Sequence, residues 1–124
     1  MRVREAAMRL KRFEVEEKMQ RVRDLEQMIH EFEQMAGDLE RQIEAEEERT
    51  GVRDRSHFAY STFARPASQR RENLMASVHD LRERHTSAVS ERDEAAAELE
   101  QVDTVQFRES DRNSDTLSPD TSLA

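Results

Sequence analysis

The residues in this chain that could do chemistry are its four histidines, His30, His57, His79 and His85, and its 28 acidic side chains. A helix-borne metal pair needs ligands three or four residues apart, on one face, and no two of these histidines have that spacing. Carboxylates serve as general acids or bases when burial shifts their pKa. Here they lie in charged runs such as Glu46-Glu47-Glu48, which read as solvated helix surface. There is no cysteine, so thiol catalysis, zinc–thiolate sites and disulfides are excluded, and nothing points to an oxidising compartment. Two glycines cannot build a phosphate-cradling loop, and no G-x-x-x-x-G-K pattern occurs. The sequence therefore offers no catalytic, cofactor-binding or metal-ligating residue, and the chain is not expected to be an enzyme.

What remains is chemistry of contact. Three of the six aromatic residues, Phe58, Tyr60 and Phe63, fall in one short segment between two helical patterns. They either close the end of a helix–helix seam or present a partner patch, since aromatics dominate interface hot spots. Near the N-terminus Val3, Ala6, Leu10 and Phe13 form a second apolar line. At about 100° per residue it faces away from Met8, Val15, Met19 and Val22. One partner helix cannot cover both lines. Either the seam shifts phase or frays there, or Leu10 and Phe13 dock elsewhere, with Arg9, Lys11 and Arg12 as basic flanks. Met28 and Met35 similarly widen the apolar face beyond the seam, with a side chain that adapts to varied partners.

These groups must be held by long helices. Charged residues are 39% and aromatics 5% of the chain, too few large apolar groups for a compact globule but regular enough to argue against full disorder. Positions 67, 71, 74, 78, 81, 85, 88, 92, 95, 99 and 102 alternate steps of four and three. They hold apolar residues or alanine except at Arg71, His85 and Arg92. Such spacing marks a coiled-coil helix with a thin seam. A matching stripe runs through Val15, Met19, Val22, Leu25, Ile29, Phe32, Ala36, Leu39 and Ile43. Gly51 sits where a C-terminal cap belongs, Ser61 or Thr62 can cap the next helix, and Pro66 suits a first helical position.

The predicted architecture is all-α. An antiparallel two-helix coiled-coil hairpin has helices at about 3–49 and 62–108 and a turn at about 50–61. An acidic Ser/Thr-rich tail at 109–124, with no apolar periodicity, is expected to be disordered. Helices of roughly 45 residues would each span about 70 Å. Folding at the turn would set Glu44, Glu46, Glu47 and Glu48 beside Arg65, Arg70 and Arg71, and residues 2–12 beside Glu98, Glu100 and Asp103. His30 and His85 would approach across the seam.

The net charge is −8, unevenly spread. Residues 2–12 carry five basic groups against Glu5, 5 − 1 = +4, while residues 86–124 carry three against ten, 3 − 10 = −7. A short basic end on an acidic chain is a poor general nucleic-acid binder. No apolar run reaches signal-peptide or membrane-spanning length, so a soluble, cytoplasmic protein is expected, with peripheral contact to a membrane complex left open.

Several stretches resemble the FliJ-type flagellar export proteins, in particular their short alphaproteobacterial form. They are Arg9-Leu-Lys-Arg-Phe-Glu-Val-Glu-Glu-Lys18, Met35-Ala-Gly-Asp-Leu-Glu40, Glu46-Glu-Glu-Arg-Thr-Gly51, His57-Phe-Ala-Tyr60 and Gln69-Arg-Arg-Glu-Asn-Leu74. The turn followed by Gln-Arg-Arg-x-Asn-Leu is the most specific of them. The resemblance covers about residues 2–107 and not the tail. It implies a cytoplasmic coiled-coil component of the flagellar type III export apparatus, similar to a rotary-ATPase stalk. Its partners would be the hexameric export ATPase, the export gate and substrate chaperones. The competing expectation is a generic scaffold or chaperone-like coiled coil, homodimeric through its exposed stripes. On either reading the candidate partner-binding residues are Leu10, Phe13, Met28, Met35, Phe58, Tyr60, Phe63, Arg70 and Arg71.

Overall fold

The structure is a computed structural model. It describes the backbone from Arg2 to Ser122, and the side chains within that range except those of residues 2, 106, 107 and 109–122. Two long helices, α1 (Arg2–Thr50) and α2 (Ala64–Ser122), pack against each other as a helical hairpin. Gly37 is the one glycine inside either helix, and α1 has no proline, so little in the sequence stops α1 before Thr50. It ends as predicted: Gly51 takes φ +74° and its N–H donates to the Glu47 carbonyl at 2.9 Å, a left-handed cap that leaves no Cβ strain.

Entry into α2 is set by Ser61 rather than Pro66. The Ser61 hydroxyl accepts from the N–H groups of Phe63 and Ala64, both at 3.2 Å, and the Arg65 N–H reaches the Ser61 carbonyl. Capping there starts the helix before Pro66, which is then the third residue of α2, within its first turn. The backbone of α2 continues to Ser122, past the predicted end near 108. No glycine interrupts 109–122, Pro119 stands three residues before the end, and Ser, Asp and Thr disfavour helix only weakly. The expected disorder of 109–124 concerns residues whose side chains lie outside those described.

The two helices contribute to two compact units, Arg23–Ser87 and Met1–Val22 with Ala88–Ala124. Within the first, Leu25, Ala36, Ile43, Ala67, Val78 and Leu81 are buried, with Ile29, Phe32, Leu39 and Leu74 half-buried between them. Its polar knobs meet carboxylates across the seam: Arg71 pairs with Glu40, and His85 Nε2 lies 3.0 Å from Glu26 Oε1. His85 thus meets a carboxylate rather than His30, which is exposed. A glutamate is long enough to reach a seam position from the flank.

In the second unit Met8, Val22, Ala88 and Ala95 are buried, and Val15, Met19, Leu99 and Val102 half-buried. Two seam residues here escaped the sequence reading, Lys11 and Lys18. Both are half-buried, their stems against the seam and their ammonium groups on α2: Lys11 Nζ–Glu98 2.6 Å, Lys18 Nζ–Glu91 3.3 Å. Lysine reads as surface in a hydropathy pattern, but a four-carbon stem covers apolar neighbours. Seven residues separate the two, and that spacing was the available signal. The predicted contact of the basic N-terminal segment with Glu98 is present, and through this hydrogen bond Lys11 lowers the pKa of Glu98 while Glu98 raises that of Lys11.

Candidate docking surfaces

The turn splits the aromatic trio. Tyr60 is 4% exposed and packs with Ile43, Ala64 and Ala67, with Leu39 and Val52 against the cluster. Its phenol donates to Glu47 Oε1 at 2.8 Å. Burial pushes the phenol pKa up, and the Glu47 carboxylate adds to the rise. Ser68, buried beside this cluster, acts in the opposite sense on the phenol, although its hydroxyl completes no full hydrogen bond. Tyr60 is therefore a cap on the seam. Phe58, two residues earlier, is 94% exposed, and Phe63 is exposed as well. A fully exposed phenylalanine forgoes about 1.5–3 kcal/mol of burial.

The segment presenting Phe58 is tied down by its own polar groups. Asp54 accepts from the Ser56 N–H at 3.0 Å and the Ser56 hydroxyl at 2.7 Å, which together lower its pKa, the hydroxyl first. The N–H groups of His57 and Tyr60 donate to the carbonyls of Asp54 and His57. His57 Nδ1 accepts the Ala59 N–H at 3.0 Å, and the His57 ring stacks on Phe58 with centroids 4.7 Å apart and planes 22° from parallel. Arg65 reaches back to the Arg55 carbonyl at 3.2 Å, while Arg55 pairs with Glu72 at 3.0 Å.

The acidic run at the end of α1 does not pair with Arg65, Arg70 and Arg71 as predicted. Glu46 takes Arg49 and the Ser61 hydroxyl, and both lower its pKa, Arg49 first. Glu47 takes Tyr60 and, at 3.9 Å, Arg53. Local partners within a turn or across the cap cost less chain ordering than long arginines reaching between helices. Arg71 is a half-buried seam residue engaged by Glu40, and Arg70 is exposed. Of the two, only Arg70 is free to meet a partner.

At the N-terminal end the off-seam line is real. Met8 is 4% exposed and faces α2, so the seam keeps its phase, while Leu10 is 61% and Phe13 60% exposed, with Val3 and Ala6 exposed too. The line stops at Phe13, because the next residues at this helical position are Glu17, Gln20 and Asp24. Arg9 and Arg12 lie between it and the seam, lining a surface depression with Glu5 and Met8. Met28 and Met35 are about two-fifths exposed, on the flank of their seam.

Among the described residues no three His, Asp or Glu side chains gather as a metal site, and no helix is long and apolar enough to cross a membrane. Comparison of the chain with protein-family models, with curated proteins and with solved structures finds no match.

Proposed function

We propose that this chain is a non-enzymatic adaptor of the flagellar type III export apparatus, of the FliJ type. In this reading it binds the export ATPase, the export gate and substrate chaperones at the cytoplasmic face of the membrane, and any hydrolysis belongs to the ATPase chain. The stretches from Arg9–Lys18 to Gln69–Leu74 support the family, and the hairpin fold is compatible with it. The observation that carries partner binding is the exposure of Leu10 and Phe13 on the face of α1 turned away from its own seam. An apolar pair with arginines alongside suits an acidic protein surface, where charge speeds encounter and the apolar anchors hold.

The test is a set of binding isotherms against the export ATPase and the cytoplasmic domain of the gate, with a parallel thermal melt. Replacing both Leu10 and Phe13 by Ala should weaken binding several-fold or more and spare the melt. A melt that drops while affinity holds would assign both residues to the hairpin core and sink the reading. The alternative, a homodimeric scaffold, draws on the exposed Met28 and Met35. Sedimentation separates the two, since the scaffold requires a stable four-helix dimer and the adaptor a monomer.

A further inference from the structure

We draw no further inference here: the strongest candidate, the exposed Phe58 ring on the turn between α1 and α2, carries nothing, because the exposed Arg53, Arg55 and Arg65 around it are matched by the exposed Glu48, Asp54 and Glu72 and nothing in the structure shows what covers the ring.

Discussion

The two units close the same pair of helices with different side chains. In Arg23–Ser87 the seam is Leu25, Ile29, Phe32, Leu39 and Ile43 against Leu74, Val78 and Leu81. In the other it is Met8, Val15, Met19 and Val22 against Ala88, Ala95 and Leu99, with Lys11, Lys18 and Arg92 inserted. The first buries more large apolar side chains, a contribution that scales with area, with Arg71–Glu40 and His85–Glu26 at its polar positions. The second buries less and relies on ion pairs between groups that stay substantially exposed, each typically worth about 0.2–1 kcal/mol. Its one strongly apolar line, Val3 to Phe13, points away from the seam. The seams share a heptad rhythm and differ in what fills it, and the filling decides stability.

The sharpest way to break this contrast is to truncate one buried side chain on each side of it. Leu81→Ala, at a buried position, should cost about 2–5 kcal/mol in chemical denaturation, and Val15→Ala, half-buried, clearly less. Equal losses would mean that both seams are apolar cores of the same kind. Native-state hydrogen exchange should sharpen it next. Amides of 3–22 and 88–105 should exchange faster than those of 25–43 and 67–85, and uniform protection would contradict the contrast.

The pH dependence has an acid and an alkaline limb of opposite sign. Glu98, with Lys11, and Glu46, with Arg49 and Ser61, have folded pKa values below their ordinary range. Their contribution is present above the unfolded carboxylate value of about 4.3 and fades as pH falls through the folded values. Tyr60 is raised by burial and Glu47, so its contribution is full below about 10 and fades as pH rises beyond it. Helicity followed against pH should therefore weaken at both extremes. Tyr60→Phe should remove part of the alkaline limb alone, and an unchanged limb would show that the phenol does not titrate against the fold. The smallest effect belongs to Lys18→Ala. Loss of its pair with Glu91 should cost at most about 1 kcal/mol and disappear in high salt, which thermal melts at two ionic strengths would register.

Much of the fold was legible in residue spacing. Every α2 seam position from Ala67 to Val102, and every α1 position from Val15 to Ile43, is buried or half-buried. Gly51 and Ser61 do what glycine and serine do at helix ends. The rest depended on choices that residue type leaves open. Tyr60 and Phe58 are both aromatic, and only the geometry of the turn decides which ring faces Ile43. Lys11 and Lys18 enter the seam by their stems, invisible to a scale that prices the whole residue as charged. Glu46 and Glu47 could have met several arginines, and a serine and a tyrosine took them first. The exposed Leu10 and Phe13 were readable because their line lies opposite Met8 on any regular helix.

The Ser61 hydroxyl that caps α2 also donates to Glu46 near the end of α1, fifteen residues back along the chain, and Tyr60 meets Glu47 across thirteen. The Lys18–Glu91 and Lys11–Glu98 pairs close loops of 73 and 87. By loop-closure entropy, forming the longest of these directly from an open chain costs about 1.5 kcal/mol more than the serine contact. The favourable order of assembly is then a zipper that starts at the turn and runs outward, each closed turn shortening the loop that the next must close. Opening would run the other way. The end that carries Leu10 and Phe13 would be the last to form and the first to release, so a partner there would meet the hairpin where its two strands of helix are easiest to part.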